Sequence, residues 1–89
     1  MSASCEGTAR LPAGVALHAR PAGALARQAM GYSSQITVSA DGREADAKSV
    51  LRVMALGAEG GTSVTVRAEG EDAAVAVAGL VELIEQLSA

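Results

Sequence analysis

The chain contains one histidine, His18, in the stretch LHARPAG, directly ahead of a run with helical character. A helix start presents backbone N–H groups that have no intrahelical acceptor, together with the positive end of the helix dipole. An anion placed there receives ready-made hydrogen bonds. The same field disfavours an imidazolium and favours a neutral, nucleophilic ring near pH 7. Arg20, two residues on, can give a charge-assisted hydrogen bond to a phosphoryl group carried on that ring. A neutral imidazole beside an arginine at a helix start is suited to accepting and releasing a phosphate. On spacing alone, His18 also fits a helix-capping or partly buried role. Ser49 is the second candidate, standing as an N-cap ahead of VLRVMAL. The usual work of such a serine is to bond a backbone N–H. A phosphoryl group on it would lie at the favourable end of a helix dipole but would oppose an acidic partner, so Ser49 could act as a switch.

Other site chemistries fit poorly. No nucleophile-elbow pattern surrounds any serine. One cysteine, Cys5, excludes an internal disulfide, and with a single histidine leaves too few ligands for a metal site. The phosphate-loop pattern GxxxxGK[ST] is absent, and Gly57, Gly60, Gly61 and Gly70 read as turn and cap residues. No cofactor motif is present. The expectation is a protein that works on or through partners and is not a self-sufficient enzyme.

The elements that must position these residues follow from changes of hydrophobic period. Residues 5–11 alternate weakly as a first strand. Residues 20–30 read as a helix with Pro21 in its first turn and Gly31 as its C-cap. Residues 35–39 alternate, Asp41-Gly42 is a tight-turn signal, and 43–47 return as a partner strand. Ser49 opens a helix of about two turns that closes at Gly57. Residues 62–68 alternate with Val64, Val66 and Ala68 inward. Residues 71–87 place Val77, Leu80, Val81, Ile84 and Leu87 on one helical stripe. The order is βαββαβα, an α+β sandwich of two layers with an antiparallel sheet that keeps one wet face.

With 89 residues there is room for one domain, 1–89, with a modest core. Alanine supplies about a fifth of the chain and rings almost nothing, so that core is aliphatic. A net charge of −3 with 1% aromatic residues argues against a nucleic-acid binder. No apolar run spans a bilayer and no signal peptide is apparent, so the expected location is the cytoplasm. No acidic residue lies between Glu6 and Asp41, where Arg10, Arg20 and Arg27 occur, nor between Asp46 and Glu59, where Lys48 and Arg52 occur. If the two helices are neighbours, one positive surface surrounds His18 and fits an acidic protein face. The second helix carries more apolar residues than one buried stripe needs. Some of Val50, Leu51 and Met54 should therefore face solvent as a partner patch; burial nearly all round is the competing expectation.

LHARPAG resembles the active-site signature of the HPr family, the histidine-containing phosphocarriers of the bacterial phosphoenolpyruvate-dependent sugar phosphotransferase system. AKSVLRVMALGAEGGTSVTVRAEGEDA is similar to that family's second signature, built around a Lys-Ser pair and a short apolar helix. The resemblance runs ungapped from about Cys5 to Leu87. It implies an open-faced β-sandwich, with four antiparallel strands covered on one face by three helices. It implies that His18 takes a phosphoryl group on Nδ1 from phospho-Enzyme I and gives it to EIIA proteins or domains. Arg20 then contacts the phosphate, with backbone N–H groups from Ala19 and Arg20. Ser49 matches the serine modified by an HPr kinase/phosphorylase in species that possess one. Arg27, Lys48, Val50, Leu51, Arg52 and Met54 match or flank the docking face. No cofactor is implied, and a carrier that shows one face to successive partners is most simply a monomer.

Two departures stand out. The residue two before the histidine, commonly glycine in the family, is Ala16, with Gly14 and Pro12 upstream. Phenylalanine is absent, so Leu51 and Met54 replace aromatic docking contacts. The residues before Cys5 carry no assigned role. The alternative function is a regulatory binding protein, in the nitrogen-related branch or through phospho-Ser49.

Overall fold

The alternating segments pair into one sheet because each has a single apolar side to bury. In the computed structural model, which describes residues 3–88, the elements are β1 (Ser4–Arg10), α1 (Ala19–Ala29), β2 (Gln35–Ala40), β3 (Arg43–Asp46), α2 (Val50–Ala55), β4 (Ser63–Glu69) and α3 (Ala73–Glu85). The βαββαβα order matches expectation. The strands lie in the order β1-β4-β2-β3, every neighbouring pair antiparallel. The central strand β4 aligns Val66 with Gly7 on one side and with Val38 on the other.

Alternation then sorts the two faces. Ala9, Ile36, Val38, Ala45, Val64, Val66 and Ala68 are buried beneath the helices. Between them, Thr8, Thr65, Glu44 and Arg67 lie on the open face, where the Thr8 and Thr65 hydroxyls are 3.4 Å apart and Arg67 pairs with Glu44 at 3.8 Å. Helix α3 packs on β1 and β4, α1 lies against α3 and α2, and α2 meets β3. The filling is aliphatic: Leu11, Leu17, Leu25, Val53, Leu80 and Ile84 are fully buried. The alanines Ala22, Ala26 and Ala29 line the inward side of α1.

Local signals behave as their chemistry requires, with one exception. Asp41 and Gly42 adopt φ of 51° and 79°, the paired left-handed conformations of a type I′ hairpin turn. Gly57 follows α2 at φ 66° as a left-handed C′ residue. Gly31 does not play that part after α1, because its φ is not positive. That helix instead tightens at its end, with Gly31 N–H on the Gln28 carbonyl and Tyr32 N–H on Ala29. The return strand also stops one residue early, at Asp46, although Ala47 N–H still reaches the Ile36 carbonyl at 3.0 Å. Of the residues before Cys5, Ser4 opens β1, and the Ala3 carbonyl accepts from Gly70 N–H. Residues 1–2 lie outside the described part.

The Asp72 carboxylate fastens the start of α3 to the segment that enters β2. It accepts from Ser33 N–H at 2.8 Å, from Ser34 N–H at 3.0 Å and from the buried Ser34 hydroxyl. These bonds, the Ser34 hydroxyl foremost, hold the carboxyl below its ordinary value.

Candidate functional site

Helix α1 begins without a side-chain cap. His18 is the N-cap residue, with extended backbone (φ −79°, ψ −171°), and its carbonyl accepts the first helical bond from Ala22 N–H at 2.9 Å. Its own N–H turns back to the Ala16 carbonyl at 2.8 Å. Pro21 has no N–H to offer. The N–H groups left over at this helix start are therefore those of Ala19 and Arg20. His18, Ala19 and Arg20 are all exposed, and no acidic residue stands in the first turn. The site thus has an imidazole ring, two backbone donors and a guanidinium at the positive end of an 11-residue helix.

Residues 11–17 carry His18 and are themselves held in place. Leu11 and Leu17 are buried, so both ends of the segment plug into the core. Gly14 takes the left-handed conformation (φ 80°) and Ala16 does not, so position 16 makes no demand for a glycine backbone.

Helices α1 and α2 are neighbours, as the positive-surface reading requires. Arg20, Arg27 and Arg52 are exposed, and among the described residues none lies within ion-pair distance of a carboxylate. Arg27 folds back along α1, with Nη1 lying 3.3 Å from where a Cβ on Gly23 would sit, which directs its charge toward the His18 end. Arg10 does not join them: it follows the buried Ala9 in β1 and therefore emerges on the open face of the sheet. Lys48 is half-buried, with its ammonium donating to the Tyr32 carbonyl at 2.7 Å, so it braces the entry to α2 against the end of α1.

Ser49 caps α2 as expected: its hydroxyl accepts from Arg52 N–H at 3.3 Å, and its carbonyl accepts from Val53 N–H at 3.0 Å. The apolar excess of α2 is resolved by position. Val53 and Leu56 are buried and Val50 is half-buried, whereas Leu51 is 79% exposed and Met54 37%. Burial nearly all round is therefore excluded. Sequence reasoning missed Met30, 55% exposed at the end of α1, and Gly23, which gives Arg27 its path. A glycine inside a helix was the available signal for the second.

Comparison with known proteins places this arrangement. The family model described as the PTS HPr component phosphorylation site matches residues 6–86. The phosphocarrier protein HPr of Vibrio cholerae is 44% identical over 71 residues, covering 80% of this chain and 84% of that one. That of Mycoplasma capricolum is 44% identical over 63 residues, covering 71% of each. Among solved structures, HPr-C-His from Thermoanaerobacter tengcongensis superposes with a TM-score of 0.85 at 41% identity, over 91% of each chain. Crh, the catabolite repression HPr of Bacillus subtilis, gives 0.76 at 31% identity, over 97% of this chain and all of the other. No helix among the described residues is long and apolar enough to cross a membrane. The chain belongs to the HPr family, the phosphocarrier proteins of the phosphotransferase system.

Proposed function

We propose that this protein accepts a phosphoryl group on Nδ1 of His18 from phospho-Enzyme I and passes it to EIIA proteins or domains, acting as a cytoplasmic monomer. The observation that carries this reading is the start of α1, where an exposed histidine precedes two unpaired N–H groups and an unpaired arginine. In the transfer, the Nδ1 lone pair of neutral His18 attacks phosphorus in line as the donor's N–P bond breaks. The electron pair of that bond returns to the donor's ring, so one N–P bond replaces another and no water takes part. Arg20 and the N–H groups of Ala19 and Arg20 take up the charge of the phosphoryl oxygens. The return step to EIIA is the same exchange in reverse. Leu51 and Met54 supply apolar contact, with Arg27 and Arg52 beside them to meet an acidic partner.

Ser49 is the regulatory counterpart. Phosphorylation by an HPr kinase/phosphorylase would replace a neutral cap by a dianionic one beside Leu51 and Arg52, compatible with the helix and adverse to an acidic partner.

The test is incubation with phosphoenolpyruvate and Enzyme I, read by intact mass before and after mild acid. One acid-labile phosphoryl group should appear on the native protein and none on His18→Ala. Acceptance by the variant, or none by the folded native protein, overturns the carrier reading.

A further inference from the structure

The loop after α2 lies along the segment that carries His18 and is fastened to it at both ends. Leu11 N–H donates to the Thr62 carbonyl and Gly61 N–H to the Leu11 carbonyl, each at 2.9 Å. At the other end, Leu17 N–H donates to the Ala58 carbonyl at 3.0 Å. Between these clamps, the backbone of Gly60 presses into the turn made by Pro12–Val15. A Cβ on Gly60 would stand 2.5 Å from Gly14 N and 3.0 Å from both the Pro12 oxygen and Val15 N. All three are backbone atoms, so no side chain can swing aside. Gly60 does not need left-handed freedom, since its φ is not positive. What it supplies is the absence of a side chain.

The geometry points to Gly60 as a positioning residue for His18: it lets residues 58–62 seat flush against residues 12–15 and thereby sets where the ring stands at the start of α1. This rests on the carrier reading for its kinetic consequence but not for its structural one. Carbon and backbone atoms need about 3.5 Å or more between them, so a methyl group at Gly60 forces the facing turn to move by roughly 1 Å. The loop that would be pushed back also holds Leu17, directly before His18, through the Ala58 carbonyl two residues from Gly60, so separating the two backbones strains that bond and shifts the residue next to His18. A misplacement of that size at a reacting group costs up to about 100-fold in rate. The three nearest atoms all belong to residues 12–15 and none to a proposed docking residue on α1 or α2, so KM for Enzyme I should change little.

The neighbouring glycine supplies the control. Gly61 has φ of 85° and nothing within 4 Å of the place a methyl group would take, so Gly61→Ala strains its own backbone and keeps its N–H donor to Leu11 without pressing an atom against residues 12–15. With Enzyme I and phosphoenolpyruvate, Gly60→Ala should show kcat reduced about 10- to 100-fold with KM little changed, while Gly61→Ala keeps a near-native kcat. The His18 ring proton shifts in the NMR spectrum should move in Gly60→Ala and stay in Gly61→Ala, with β4 amide shifts preserved in both. That arm needs no Enzyme I, so it decides the positioning role even if the native protein accepts no phosphoryl group. Unmoved His18 shifts in Gly60→Ala, or equal kinetic losses in both variants, would overturn the proposal. If Gly60→Ala does not fold, the native protein decides: nuclear Overhauser contacts from the Gly60 α protons to the Gly14 and Val15 amide protons should be present, and their absence overturns it.

Discussion

At the scale of single residues, the hydroxyl of Ser49 and the carboxylate of Asp72 anchor two helix starts in different ways. Ser49→Ala removes one cap bond, a long one at 3.3 Å. The loss should be about 0.5–1 kcal/mol in urea denaturation, with phosphoryl acceptance by His18 retained. Ser49→Asp keeps a good N-cap and should leave stability near native, but it should weaken binding to Enzyme I by placing a negative charge beside Arg52. Titration of Enzyme I against both variants checks the separation. Asp72 works differently because its bonds are made by the charged form. Its carboxyl is held below the ordinary value by the Ser34 hydroxyl first and the Ser33 N–H next. Such a group contributes stability that is fully present above the ordinary aspartate value of about 4 and is lost as pH falls through the lowered folded-state value. The melting temperature of Asp72→Asn should therefore lie below the native one at neutral pH, and the gap should close as pH drops below about 4. A gap that does not change with pH would mean that the carboxylate charge is irrelevant to the tie.

At the scale of elements, α2 divides its residues between core and partner within a single turn. Leu51 is exposed and Val53 is buried. Leu51→Ala should cost less than about 0.5 kcal/mol of stability while raising KM for Enzyme I, whereas Val53→Ala should cost about 2 kcal/mol and leave KM unchanged once folded. Helix α1 offers the opposite case in Gly23, where an added methyl meets only the tip of the flexible Arg27 side chain. Gly23→Ala should raise stability by about 0.5–1 kcal/mol by thermal denaturation. These contrasts also show what a one-dimensional reading carries. Alternation in β2 and β4, the Asp41-Gly42 turn, the Ser49 cap and the His18 helix start were legible because each depends on near neighbours in the chain. The strand order β1-β4-β2-β3 was not, since it depends on which apolar edges meet across distant segments. Gly60 read as a turn residue because close approach of two backbones leaves no period to detect. The end of α1 was misread at Gly31 because a helix can close on ordinary φ when its last N–H groups reach back three residues.

At the scale of the whole molecule, a net charge of −3 coexists with a site free of acids. Glu6, Glu44 and Glu69 lie on strands β1, β3 and β4, and Glu82 and Glu85 on the second half of α3, whereas Arg20, Arg27 and Arg52 emerge from the adjoining helices α1 and α2. The two charge distributions predict opposite salt effects on encounter with an acidic partner. If the net charges govern approach, they repel, and added salt speeds association by screening that repulsion. If the local patch governs, added salt slows it, because the attraction acts over distances comparable with the Debye length of about 10 Å at 0.1 M. The local arrangement favours the second case: no acidic residue stands in the first turn of α1 or α2, and among the described residues no carboxylate lies within ion-pair distance of Arg20, Arg27 or Arg52. Stopped-flow association with Enzyme I should therefore slow by about 10-fold or more between low and high salt. The slope should flatten in Arg27→Glu and Arg52→Glu, since each reversal removes a charge that steers. A native rate that rises with salt would assign the approach to the net charge and leave the apolar pair Leu51 and Met54 to form the complex unaided.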